Sequence, residues 1–459
     1  MAGITFLLEK HLSRPPLSRS VLREGIEAFE AVGPWFLTLL CLAVMGISVQ
    51  LMTNEAPVLF YLMLTYASAI SLVVSSPFHT MLNRYIADEV YRVNYQPIIN
   101  GLITLTICVV AIVFLISFSL VFFFSLIPLN QKIGFVSLST LLSMFWCISS
   151  FLSSIQKERI LLVLFSAGMA GMLFLYYFTK SSDAMALLLI FSFGISVPVA
   201  GGYAYSIKLY LRSKIRVEWN FLKRPGAVKI GLSIFFFYFG FWMDKFMFWF
   251  SSRTGVAYDP LFHYCPQYDF PFFVALSIMM IGSVLVYRGV KRKITAPYTA
   301  FISKLANNFP FREIALEKYR LVDGIGQVSS SILLFYGGLS VFVLFLVYIQ
   351  VIPIPWSNPF IFHYLLVGTI FFSLYFFYFL LIQYLDEYDT LLRLNILFFL
   401  LNFFGSLITI KFGARYYGCG FLFASAICAI VSFFMVNSKV GGLEYHVFLK
   451  ALRQSYGEE

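Results

Sequence analysis

The chain has 459 residues, of which 60% are hydrophobic, 19% aromatic and only 12% charged, with a formal net charge of +11. Soluble domains carry roughly 25% charged residues, so this composition excludes a soluble enzyme and predicts a chain that crosses a bilayer many times. The positive excess would suit nucleic acid or anionic lipid, and its meaning depends on where the basic residues fall relative to the spans.

Residues 1–31 carry Lys10, Arg14, Arg19 and Arg23 but no apolar core followed by a small-residue cleavage site, so they read as a retained amphipathic segment. Within it Glu24, Glu27 and Glu30 fall along one helical face. A hydrocarbon core about 30 Å thick asks for about 20 apolar residues per helix. Apolar runs of that size follow at 32–53, 57–78, 98–126, 133–154, 160–178, 184–207, 228–251, 270–287, 328–352, 360–385, 390–410 and 417–437. The expected fold is therefore an all-α polytopic membrane protein of about twelve transmembrane helices.

With the N-terminus inside, 26 Lys and Arg fall in cytoplasmic segments. Only Lys132, Lys180, Arg253, Lys411 and Arg415 fall outside. Basic loops resist translocation, so both termini are expected in the cytoplasm. The charge is then explained by topology and by contact with anionic headgroups, and no nucleic-acid partner is expected. The runs divide six and six around a basic linker at 209–227, giving an N-lobe at 32–208, a C-lobe at 228–437 and a tail at 438–459. Such an echo between halves is common in transporters built from structural repeats.

Candidate functional groups come from three places. Asp244 and Lys245 form an adjacent acid and base inside a predicted span, where an ionisable residue marks function by default. Against this stands a plainer reading in which Lys245 snorkels to the outer interface beside an aromatic belt of Trp242 and Trp249. The outer loop from Ser252 to Asp269 carries Tyr258, Asp259, Tyr268 and Asp269, a mixture suited to stacking on sugar rings and binding their hydroxyls. The inner connection 288–327 has amphipathic stretches at 298–305 and 311–320, with Arg288, Lys291, Arg292, Lys293, Lys304 and Arg312 as candidates for docking a cytoplasmic partner. Asp386, Glu387 and Asp389 are the one carboxylate group placed to attract a metal at a membrane face. The five histidines show no ligand spacing and no Gly-rich phosphate loop occurs, so no metal or cofactor is expected. The six cysteines read as core residues, with Cys265 alone in a polar loop.

An ordered series of strings carries a family likeness. MAGITFLLEK opens the chain, VGPWFL leads into the first span, and LNRYIADEVY follows the second at 82–91. GFWMDKFMFWF at 240–250, PQYDFPFFVALS at 266–277, ARYYGCGF at 414–421 and LEYHVF at 443–448 complete it. In this the sequence resembles the PelG family of exopolysaccharide transporters, whose superfamily also contains multidrug antiporters and lipid-linked oligosaccharide flippases. The resemblance implies a MATE-like pair of six-helix lobes in the bacterial inner membrane. It also implies export of a nascent, amino-sugar-containing polymer beside a cytoplasmic glycosyltransferase and membrane regulatory subunits. VYRGVKRKITAPY at 286–298 departs from the more acidic stretch of the family. An ion-coupled small-molecule antiporter, a lipid-linked oligosaccharide flippase, an assembly scaffold and a membrane enzyme are the competing readings.

Overall fold

A computed structural model describes residues 56–92, 96–181, 183–211, 214–349 and 359–445. The N-terminal segment, the first predicted span at 32–53 and residues 446–459 lie outside them. The described chain is almost wholly helical: α1 (Ala56–Tyr91), α2 (Gln96–Phe124), α3 (Leu129–Ser154), α4 (Glu158–Thr179), α5 (Ala184–Tyr210) and α6 (Ala227–Trp249) come first. A two-stranded antiparallel hairpin, β1 (Val256–Ala257) and β2 (His263–Tyr264), precedes α7 (Pro266–Gly289). A π-helical turn, Val290–Thr295, then joins α7 to α8 (Ala296–Ala306), and α9 (Phe311–Tyr348), α10 (Pro359–Tyr384), α11 (Tyr388–Phe412) and α12 (Cys419–Gly441) follow. Ten helical stretches, α1 to α6 and α9 to α12, are long and apolar enough to cross a membrane.

Two helices run further than hydropathy suggests. α1 continues through Pro77 and the polar string at 82–91 to Tyr91. Proline leaves the carbonyl four residues back without its donor, and the Ser76 hydroxyl donates to that carbonyl, Val73 O, at 3.4 Å. Burial of Tyr85 and Ile86 then carries the helix onward. α9 likewise fuses the amphipathic stretch at 311–320 to the span expected at 328–352, correcting the expectation of separate elements. Gly324 and Gly326 are the only weak helix formers of that kind between them, and glycine weakens a helix by about 1 kcal/mol without ending it. α8 does form as an amphipathic helix, with Phe301 buried and Tyr298 packed edge-on against Tyr384 at 4.9 Å.

The chain divides into two compact units, the first closing at Asp269 and the second opening at Phe270 within the first turn of α7. The first unit takes in α6 because α6 packs along α1, and because residues beyond α6 bond back to it, as described below. In the first unit α1 also packs on α2, α3 and α5, and α4 lies along α5. In the second, α12 packs on α10 and α11, and α9 on α8 and α10.

Membrane helices gain little from hydrophobic association and rely on close backbone approach and polar contacts. Among the described residues each unit has one glycine-to-glycine approach: Gly168 of α4 meets Gly194 of α5, and Gly405 of α11 meets Gly420 of α12. A Cβ on Gly420 would lie 2.6 Å from the Gly405 carbonyl carbon. Interhelical hydrogen bonds add to this, including Trp146 Nε1 to Ser71 Oγ at 3.1 Å and Tyr375 Oη to Asn395 Oδ1 at 2.6 Å.

Among the described residues the cysteines are free, and Cys265 is buried rather than displayed in a polar loop. No group of three potential metal ligands forms among the described residues. Glu387 accepts from Lys439 Nζ at 2.7 Å and Asp386 from Tyr388 Oη at 2.7 Å, so the carboxylates near 387 serve local structure.

Candidate functional site

The burial pattern of α6 decides where its charges point. Ile230, Ile234, Phe237, Asp244 and Phe248 recur near whole helical turns on its packed face, so Asp244 is carried into the first unit's interior, fully buried. There its Oδ1 accepts the Lys245 backbone N–H at 2.7 Å and its Oδ2 accepts a short hydrogen bond from the Tyr268 hydroxyl. The Tyr268 ring stacks on Phe248 at 4.2 Å with 19° between planes, which fixes the hydroxyl over the carboxylate. A short carboxylate has no way to reach the interface, and burial without donors would cost several kcal/mol.

Lys245 does not snorkel to the outer interface. It is buried, with its ammonium 5.0 Å from the Phe241 ring centre and 4.9 Å from that of Trp242. The negative ring faces stabilise a desolvated cation there.

Asp269 organises the adjoining end of the unit. The indole N–H of Trp249 donates to both of its oxygens at 2.9 Å, and the Cys265 N–H donates to Oδ2 at 2.8 Å in the first turn of α7. Trp249 therefore works as an internal donor and not as part of an aromatic belt. Its ring stacks on Tyr66 of α1 at 4.8 Å and 14°. The Tyr66 hydroxyl donates to His263 O at 3.0 Å and accepts from His263 N at 3.1 Å, pinning the hairpin to α1.

Four of the six substrate or cavity candidates, Asp244, Lys245, Tyr268 and Asp269, thus meet in one buried polar joint between α6 and the first turn of α7. Asp259 serves a second joint: its Oδ1 accepts the Leu126 N–H at 2.9 Å, tying the hairpin to the α2–α3 connection. Tyr258 alone of the six is exposed. Tyr66 belongs to the joint without having been singled out, while the sequence offered Trp249 for an aromatic belt and His263 as part of the sugar-binding outer loop. Tyr66 and His263 lie 197 positions apart, and no local pattern links them.

The six basic docking candidates separate in the same way. Lys291, Arg292 and Lys293 are exposed on the π-helical turn, Arg312 is exposed at the start of α9, and Arg288 is half-buried in the last turn of α7. Gly324 of α9 holds this turn in place, because a Cβ there would strike the Lys293 carbonyl oxygen. Lys304 is spent internally: Nζ reaches Glu317 at 3.0 Å and Glu313 at 3.4 Å, while Arg320 reaches Glu317 at 2.9 Å. The hydrogen bond to Glu317 holds the Lys304 ammonium above its ordinary range.

The architecture defines a class before it defines a family. An outward-facing multidrug-resistance MATE transporter of the MOP superfamily superposes with TM-score 0.60 at 13% identity, covering 91% of this chain and 95% of that one. A MATE crystal structure in complex with MaL6 gives 0.60 at 12% identity over 91% and 96%. A MOP-superfamily transporter from Pyrococcus furiosus gives 0.56 at 13% identity over 91% and 95%. The chain shares the fold of these multi-pass transporters. No curated protein matches the sequence. Residues 1–448 match the PelG family, described as "Putative exopolysaccharide Exporter (EPS-E)", and the chain belongs to that family.

Proposed function

We propose that this transporter moves a nascent, Pel-like exopolysaccharide containing amino sugars from the cytoplasm to the periplasm across the bacterial inner membrane. The observation that carries the reading is membership of an exopolysaccharide-exporter family over 448 of 459 residues in a chain with the transporter fold. Both termini lie in the cytoplasm, a placement supported by the 26-to-5 division of basic residues. The exposed Lys291, Arg292, Lys293 and Arg312 then face a cytoplasmic glycosyltransferase and the membrane regulatory subunits that accompany it. Asp244, Lys245, Tyr268 and Asp269 hold the periplasmic ends of α6 and α7 in register, and Tyr258 stands exposed beside them for the emerging polymer.

The test is polymer partition in cells. Deleting the gene and restoring it in trans should move polymer from the cell interior to the medium. Unchanged secretion in the deletion strain, together with lost efflux of cationic dyes, would make the protein a small-molecule antiporter instead.

A further inference from the structure

A cavity of about 430 Å³ opens at the basic end of the first unit. It lies where α1 ends and α2 and α6 begin, lined by Tyr85 and Glu89 of α1, Arg92 just beyond it, Pro97 of α2, and residues between 218 and 225 of the segment that leads into α6. Nothing in the transport reading uses it.

Its charges sort into committed and available groups. Arg224 lies over the Tyr85 ring at 4.9 Å, pairs with Asp88, and donates from Nη2 to Glu89 Oε1 at 3.0 Å, so it forms the wall. Desolvation in that wall lowers its pKa from the ordinary guanidinium value. Arg92 reaches Glu89 only at 3.5 Å, with its side chain 68% exposed. Lys223 and Asn220 are exposed. Glu218 donates its backbone N–H to Thr104 Oγ1 at 3.0 Å, and its carboxylate accepts the Asn220 backbone N–H through Oε1 at 3.1 Å, one acceptor bond that leaves the group its negative charge. The cavity therefore offers cations on one part of its rim and a carboxylate on another, beside the starts of two helices whose dipoles favour a phosphate.

Its depth is marked by apolar groups. Residues 214–219 run extended along α2, with Arg216 N–H on Asn100 Oδ1 at 3.4 Å and Glu218 N–H on Thr104. The alternate side chains Ile215, Val217 and Trp219 are left exposed at 56%, 69% and 44% inside an otherwise basic segment. Exposed aliphatic and indole groups among basic residues suit the boundary between headgroups and acyl chains.

From this we propose that the cavity is a binding site for the headgroup of a phosphoethanolamine lipid. The phosphate is taken by Arg92 and Lys223 with the Asn220 amide, and the primary ammonium by Glu218. The mixed charge of the rim selects a zwitterion over a simple anion, and the exposed row at 215–219 selects a lipid over a soluble phosphate.

Native mass spectrometry of the full-length protein, released from nanodiscs holding ethanolamine and choline lipids of equal acyl chains, tests this. The wild type should retain the ethanolamine lipid about tenfold over the choline lipid, whose trimethylated nitrogen has no N–H to give Glu218. Glu218→Gln should erase that preference, whereas Lys223→Gln and Arg92→Gln should lower retention of both lipids. Melting temperatures near the wild type's will separate these losses from misfolding. Equal retention of the two lipids by the wild type overturns the proposal, as does a preference untouched by Glu218→Gln. Displacement by soluble O-phosphoethanolamine without any lipid preference would make this a soluble-ligand site and also overturn it.

Discussion

Tyr268→Phe removes one oxygen from a fully buried polar contact and little else, because the ring can keep its stacking on Phe248. What is lost is the hydrogen bond from the Tyr268 hydroxyl to the Asp244 carboxylate, leaving that group the Lys245 N–H at 2.7 Å. Hydrogen bonds to charged groups contribute about 1.5–3 kcal/mol, so the substitution should destabilise the protein by about 2 kcal/mol. In an Asp244→Asn background the bond is between neutral groups, worth about 1 kcal/mol, and the same substitution should cost correspondingly less. The assay is a double-mutant cycle by reversible unfolding in mixed micelles, with the coupling between the two sites as its readout. Strictly additive effects, or a full loss from Tyr268→Phe in the Asn background, would refute the assignment of this pair as a charged joint.

Further expectations follow from other contacts. Gly420→Val should overpack the α11–α12 contact by about 1–3 kcal/mol and lower membrane abundance, read by quantitative blotting, while Gly413→Ala should do so only through its φ of +100°, since a Cβ there meets nothing within 4 Å. In a cysteine-free background, Ala257→Cys on exposed β1 should label from the periplasm and Ser455→Cys should not; the reverse pattern would invert the topology. Replacing Lys293 and Arg312 together by Gln should reduce co-purification of the proposed glycosyltransferase partner without lowering melting temperature, because these side chains are exposed. Lys304→Gln should instead lower melting temperature, because Glu317 is buried and loses one of its two cations.

The spans were legible because insertion depends chiefly on the summed hydropathy of about 20 residues, a local property. Helix ends beyond the hydrocarbon were less so. LNRYIADEVY reads as a polar connection, and its helix is sustained by burial of Tyr85 and Ile86, which depends on neighbours distant in sequence. The packing of α6 along α1 was not legible for a similar reason, since it joins stretches distant in sequence. At the site, sequence identified Asp244, Tyr268 and Asp269 as unusual groups but could not tell a carboxylate displayed to a sugar from one engaged by a tyrosine on the next helix. Exposure separates Lys293 from Lys304, and exposure is a tertiary property.

Inverted inner-membrane vesicles holding this protein with the proposed glycosyltransferase partner would test the central claim most directly. They would be supplied with a labelled nucleotide sugar outside and then treated with a hydrolase specific for the polymer. Export into the lumen predicts labelled polymer that survives the hydrolase until detergent is added, and loss of that protected fraction when this protein is omitted. A protected fraction that persists in vesicles lacking the protein would contradict the account.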